Sequence, residues 1–250
     1  MRLLLINPNM TTAMTERLAT VAQRVAPPDT EIVSLTATKG FPYIASRAEA
    51  QIAGAIACEM IAEQAHGADA AIIAAFGDPG LAAARELFDF PIVGMAEASL
   101  LTASMVGERL SIVTFSPVMR RWYRDAVRDA GLLHRFTGVR TPEAHIDDVA
   151  NAGETLRQDL VALCAEAADQ DGADVIIPGG APLAGLASEI ADKVDAPLVD
   201  PISAATVQAI ALASLTRQSA LTRRRSKPPA KETVGLAAPL SRVIARKDPQ

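Results

Sequence analysis

The chain has 250 residues, half of them hydrophobic and only 4% aromatic, with a formal net charge of −5. That supplies enough apolar material for one large α/β domain or two small ones, and the Ala, Ile, Leu and Val usage fits helices on buried parallel strands better than a β-sandwich. Residues 1–216 carry 15 basic against 27 acidic side chains and residues 217–250 carry nine against two, so the acidic body argues against nucleic acid as the main ligand.

The first predicted element is a strand whose apolar run, Leu3 to Ile6, stops at Asn7-Pro8. This run is too short for a signal peptide's apolar region or a membrane span, so a cytoplasmic address and no membrane partner are expected. Asn7 and Asn9 follow in a polar loop, where Asn9 could hydrogen-bond a ligand or simply form the turn around Pro8. Apolar residues at three- and four-residue spacing predict a helix over roughly Thr12 to Val25. A break at Gly40-Phe41-Pro42 introduces Tyr43, Ser46 and Arg47, a stretch that could close over a site, with Arg47 pairing either with a ligand carboxylate or within the protein. A second helix is predicted from Arg47 to about His66.

From Gly67 the chain reads GADAAIIAAFGDPGLAAARELFDFPIVGMAEAS: strand, glycine-rich loop, helix, then a Pro-led strand. The loop starts at Ala75 and offers Phe76, Gly77 and Asp78. Asp78 before Pro79 reads as the N-cap of the helix that follows, with Pro at its first position, or as a catalytic carboxylate. Glu97 follows the Pro-led strand and could reach the site as a base or hold a loop.

A new strand at Arg109 to Val113 resembles the first one and ends in another polar loop, with Thr114 and Ser116 in the place of Asn7 and Asn9. Ser116 could act as a nucleophile only beside a base. Helices are predicted over Met119 to Ala130 and Ala152 to Asp169. Then GADVIIPGGAPLAGLASEIADKVDAPLVDPISAA, from Gly172, repeats the pattern of Gly67 at a distance of about 105 residues. Its loop offers Gly180, Ala181 and Pro182, and Asp200 matches the place after the Pro-led strand.

The order βαβα twice over requires parallel strands and right-handed crossovers, and hence two pseudo-symmetric Rossmann-like α/β halves. Ligands of such sheets bind outside the carboxyl ends of the strands, so the site is expected in the crevice between the halves. The expected division is residues 1–100 as the first half, completed by about 201–216, and 101–200 as the second. Residues 217–250 are then a basic, Pro-containing tail, either a solvated extension or an arm docking on a neighbouring subunit through Leu236, Leu240 and Ile244. A homo-oligomer is compatible with the alanine-rich helices.

Five motifs, NPNMT at Asn7 to Thr11, YIASRAEA at Tyr43 to Ala50, AFGDPGLAAARE at Ala75 to Glu86, GMAEAS at Gly94 to Ser99 and GGAPLAGLA at Gly179 to Ala187, together resemble the hydantoin racemase branch of the aspartate/glutamate racemase superfamily. The resemblance covers about residues 1–215. It implies no cofactor and a cofactor-independent isomerase acting at a carbon next to a carbonyl or carboxylate. The family uses two cysteines on opposite faces of the substrate, because a planar carbanion reprotonated from the far side inverts. Carried over by motif, the two cysteine positions are Ala75 and Gly180, neither of which can move a proton.

The internal repeat pairs the same two positions. Cys58 and Cys164 lie within predicted helices and read as packing residues, and no Cys or His spacing suggests a metal. His66, His134 and His145 read as surface residues. Helix starts near Asp78 and Ala181 could still cradle a carboxylate or enolate oxygen. The alternatives left open are a lyase, decarboxylase or hydrolase on the racemase scaffold, a catalytically impaired small-molecule binding protein, or an engineered replacement of a cysteine at Ala75.

Overall fold

Leu3, Leu4, Leu5 and Ile6 are all fully buried because β1 (Arg2–Asn7) is an interior strand covered on both faces. In this computed structural model, which describes residues 1–143, 148–218 and 227–247, β1 pairs in parallel with β2 (Glu31–Thr36) and β3 (Ala70–Ile73), and β3 with β4 (Ile92–Gly94). Successive side chains of a strand point to opposite faces. Leu3 and Leu5 therefore share one core cluster with Met14 and Leu18 of α1 (Thr12–Val25), while Leu4 and Ile6 share the other with Ile56 and Ile61 of α2 (Arg47–Gln64).

A second parallel sheet has the order β6-β5-β7, with β5 (Leu110–Val113) between β6 (Phe136–Arg140) and β7 (Val175–Pro178). A single parallel bridge from Ile176 to Leu198 stands where β4 stands in the first sheet. The two sheets thus share one topology, the α/β architecture expected of the repeat.

The remaining helices are α3 (Leu81–Leu87), α4 (Met95–Val106), α5 (Arg120–Asp129), α6 (Ala152–Thr155), α7 (Arg157–Asp169), α8 (Leu186–Glu189), α9 (Pro201–Gln218) and α10 (Ala238–Ala245). The predicted helix from Ala152 to Asp169 is two pieces, with the join at Leu156. Helix α4 leaves the first sheet and packs on β5 and β7, whereas α9 leaves the second and packs on β3 and β4. The two helices pack against each other, and the Gln208 side-chain amide donates to Ala98 O at 2.9 Å and to Thr102 Oγ1 at 2.8 Å.

Within the tail, α10 seats on α2 of the same chain and buries Leu240 and Val243, with Ile244 partly covered. Where the sequence leaves a solvated extension or an arm to a neighbouring subunit open, the apolar side of α10 finds cover on its own body, while Leu236 stays 44% exposed. Among the described residues no helix is long and apolar enough to cross a membrane. His145 lies outside the described residues.

Candidate active site

The ends of β1, β3, β5 and β7 converge, as parallel strands of matched topology do when two sheets face each other. The crevice between them is lined by Asn9, Met14, Tyr43, Ile44, Ala75, Phe76, Phe115, Met119, Trp122, Tyr123, Gly180, Ala181 and Pro182. Its volume is about 30 Å³, room for one or two waters and too small for a ring as it stands, so a ligand has to part the walls to enter. Of the residues expected there, Asn9, Tyr43, Ala75, Phe76, Gly180, Ala181 and Pro182 line it.

Asn9 is positioned by its own loop. Its Oδ1 accepts from Asn7 Nδ2 at 3.1 Å and from Thr11 N at 3.0 Å, which leaves its Nδ2 facing the Met14 sulfur at 3.6 Å. A thioether is a weak acceptor, so this amide N–H is only lightly engaged. Asn7 is spent on structure, donating to Thr15 Oγ1 at 2.9 Å.

Tyr43 sits on a segment fixed at both ends. Met10 N donates to Phe41 O at 2.9 Å and Thr11 Oγ1 to Pro42 O at 2.6 Å. Beyond it, Ser46 begins α2 with a capping box: Ser46 Oγ accepts from Glu49 N at 3.2 Å and Glu49 Oε2 from Ser46 N at 3.1 Å. The Tyr43 ring lies 6.2 Å from that of Phe115. Burial raises the Tyr43 pKa, opposed by the neighbouring Ser116 hydroxyl.

The second half contributes Phe115, Trp122, Tyr123 and Gly180. Gly180 has φ +127°, a conformation L side chains rarely adopt, and a Cβ there would lie 2.7 Å from Phe115 Cε1. Phe76 packs on Tyr123 with ring centroids 4.6 Å apart. Ser116 and Thr114 stand behind the lining. Thr114 is fully buried, and its Oγ1 has no hydrogen-bond partner among the described residues.

The expected carboxylates are elsewhere. Asp78 has φ +51°, which turns its carboxyl away from α3, whose N-cap is Gly80. Instead it accepts from Ala96 N at 2.8 Å and Glu97 N at 2.7 Å, capping α4. Burial pushes its pKa up to about 7, against the pull of those N–H groups. Glu97 is held by the Arg85 guanidinium, one oxygen at 2.9 Å, so it is no free base. Asp200 accepts from Gly185 N at 2.7 Å and from Ser203 N at 2.9 Å. It makes from the other end the same tie, between strand-end loop and next helix, that Asp78 makes in the first half.

Arg47 pairs with Asp125 on the outside of the crevice, and Gly77 packs under Trp122, where a Cβ would lie 2.4 Å from Cε2. The expected double helix-start cradle is also reduced. Asp78 N donates to Ala75 O at 3.0 Å, and Leu183 N to Gly180 O at 2.9 Å, so turn geometry consumes N–H groups that a ligand would need. On the second side there is only one 3₁₀ turn, Ala181–Leu183.

The chain reading missed Met14, Ile44, Phe115, Met119, Trp122 and Tyr123. A signal existed: the chain has six Phe, one Trp and two Tyr, and the only tryptophan stands beside one of the two tyrosines on one helix. Five of those nine aromatic side chains line the crevice. Both cysteines are buried in helices, Cys58 in α2 and Cys164 in α7, away from this lining. Burial pushes the Cys58 thiol up to about 11 and Cys164 up to about 12. Among the described residues no group of His, Cys, Asp and Glu could hold a metal ion.

Fold and crevice define a class: an α/β protein of two like parallel sheets with a small aromatic-walled site at the facing strand ends. The family model described as Asp/Glu/Hydantoin racemase matches residues 3–209. The chain is 35% identical over 238 residues to a hydantoin racemase of Paenarthrobacter aurescens, covering 93% of this chain and 99% of that protein. It superposes on the allantoin racemase from Klebsiella pneumoniae with TM-score 0.86 and 31% identity, over 96% of this chain and 98% of the other. With the allantoin racemase from Pseudomonas fluorescens the TM-score is 0.86 at 30% identity, over 94% and 100%. The chain belongs to the Asp/Glu/hydantoin racemase family.

Proposed function

We propose that the crevice binds a small, uncharged cyclic carbonyl compound of the hydantoin type, and that it does so without the two-thiol proton exchange by which the family inverts its substrates. In this reading residues 1–100, completed by α9, form one half and 101–200 the other. The motifs align the family's two cysteines with Ala75 and Gly180.

One observation carries the proposal: the lining residues present amide, thioether, aliphatic and aromatic groups, with Tyr43 and Tyr123 hydroxyls, but no Cys, His, Asp, Glu, Lys or Arg. A proton cannot be removed from a carbon acid at neutral pH without a base, and each missing acid or base costs about 10²- to 10⁴-fold in rate. The lack of a lining cation also favours a neutral carbonyl ligand over a free carboxylate, whose charge would be desolvated unpaired. Flat aromatic walls suit a flat ring. Named relatives that are hydantoin and allantoin racemases support the same ligand chemistry.

The test is to incubate the protein with one enantiomer of 5-benzylhydantoin in deuterium oxide while following its melting temperature with the same compound. Thermal stabilisation with no deuterium entering the ring carbon beyond the protein-free control is the expected result. Rapid racemisation with one deuteron incorporated would overturn the loss of proton exchange.

A further inference from the structure

We propose that Tyr123 is the hydrogen-bond donor that recognises the ligand's carbonyl oxygen at the Gly180 side of the crevice, with Thr114 as its positioning residue; this rests on the reading of the crevice as a carbonyl site. The Tyr123 hydroxyl would lie 3.4 Å from a Cβ at Gly180, so it stands beside the place from which the motif alignment has removed a side chain. The ring is held on three sides, by Phe76 at 4.6 Å, by Trp122 at 5.9 Å between centroids, and by its own backbone in α5. Only 2% of the residue is exposed, and it lines the crevice.

A phenol so enclosed keeps its proton. Burial raises the Tyr123 pKa, Thr114 opposes the rise and Tyr43 adds to it, so the group is a donor throughout the neutral range. Thr114 Oγ1 faces the Tyr123 hydroxyl closely enough to hold its ionisation down, makes no well-formed hydrogen bond, and has no other partner among the described residues. A fully buried hydroxyl without a partner is costly, and few buried polar groups are left in that state. A small rotation of the phenol toward a ligand oxygen lets Thr114 back up the Tyr123 hydroxyl as the donor is used. Asn9, with its lightly engaged Nδ2, faces the crevice from the first half, so a ring with two carbonyls has a donor on each side.

The test uses the full chain and one enantiomer of 5-benzylhydantoin, with binding followed by the fluorescence of Trp122, the only tryptophan. Tyr123→Phe is expected to weaken binding about three- to tenfold, the worth of one neutral hydrogen bond. Thr114→Val is expected to weaken binding and, by removing an unpartnered buried hydroxyl, to raise the melting temperature of the ligand-free protein. In a protein labelled with carbon-13 at the phenolic ring carbon of tyrosine, only two signals exist, and Tyr43→Phe assigns them; the probe is expected to move the Tyr123 signal. That measurement holds even where a variant fails to fold. Equal affinity of wild type and Tyr123→Phe, or an unmoved Tyr123 signal at saturation, would overturn the role of Tyr123 while leaving the carbonyl site standing. A wild type that does not bind the probe at all overturns both.

Discussion

Arg47, the first residue of α2, and Asp125, in the second turn of α5, form an ion pair that ties the segment carrying Tyr43 to the helix carrying Trp122 and Tyr123. Arg128 holds the other oxygen of Asp125 at 2.7 Å. Burial alone would raise the Asp125 pKa, but Arg47 and Arg128 together outweigh it and hold the carboxyl below the usual range. A depressed carboxylate pKa contributes stability above the unfolded value, about 3.9, and that contribution is lost as pH falls through the folded value. We expect Arg47→Ala to raise acrylamide quenching of Trp122, which is 8% exposed in the wild type. Stability should fall by only ~0.2–1 kcal/mol, because the Arg47 side chain is 58% exposed. Unchanged quenching would mean that the pair does not hold the crevice closed.

Ala75 and Gly180, the two positions proposed to match the family's cysteines, differ in what they can accept. At Ala75 a thiol extends an existing side chain, whereas at Gly180 it needs a strained backbone and displacement of Phe115. Ala75→Cys should change stability by less than ~1.5 kcal/mol, and Gly180→Cys should cost roughly 2–5 kcal/mol. Urea unfolding of the two variants compares them directly. A Gly180→Cys protein as stable as the wild type would show that the glycine conformation is not binding on the site. Introducing a thiol at both positions is therefore not expected to give two-thiol racemisation unless Phe115 is also made smaller.

Cys58 and Cys164 should be inert in the folded protein. With thiols pushed up to about 11 and about 12, the thiolate fraction near pH 8 is far below that of a free cysteine. Iodoacetamide at pH 8 is expected to label neither residue in buffer and both in denaturant, with mass spectrometry as the readout. The sign for stability follows: a raised thiol pKa contributes stability that is complete below the unfolded value near 8.5 and is lost as pH rises through about 11 to 12. Labelling in buffer would reopen the case for either cysteine as a working thiol.

Asp78 should matter as the cap of α4. Asp78→Ala is expected to cost ~1 kcal/mol and up to about 2, since two N–H groups lose their acceptor. Asp78→Asn keeps an acceptor and separates cap from charge. Because the folded pKa is raised to about 7, the folded state holds a proton that the unfolded state has lost, and this carboxyl's contribution falls as pH rises from about 4 to about 7. Asp78→Asn should flatten that part of the stability profile in denaturant titrations at pH 5 and pH 8. A wild-type slope retained in the variant would assign it to other groups.

Much of the site's frame was legible from the chain. The repeat aligned Asn7 with Thr114 and Ala75 with Gly180, and these strand ends do come together: within each sheet parallel strands end on one edge, and α4 and α9, crossing between the sheets, hold the two edges against each other. What was not legible was the partner of each charge. Asp78 before Pro79 has the local form of an N-cap for α3, yet its acceptors serve Ala96 and Glu97. Arg47 meets an aspartate 78 residues away, which no local spacing signals.

The sequence by itself determined the α/β pattern, the duplication, the kinship with the racemases and the absence of cysteine at Ala75 and Gly180, since each of these is a property of order along the chain. Only the tertiary structure decided that Glu97, Asp200 and Arg47 are engaged elsewhere and that Trp122 and Tyr123 of α5 reach the crevice. It alone decided that Phe115 fills the space beside Gly180. The physical reason is that hydrogen bonds, ion pairs and ring contacts depend on which surfaces meet across the two halves, and that meeting is fixed by α4 and α9 crossing between the sheets.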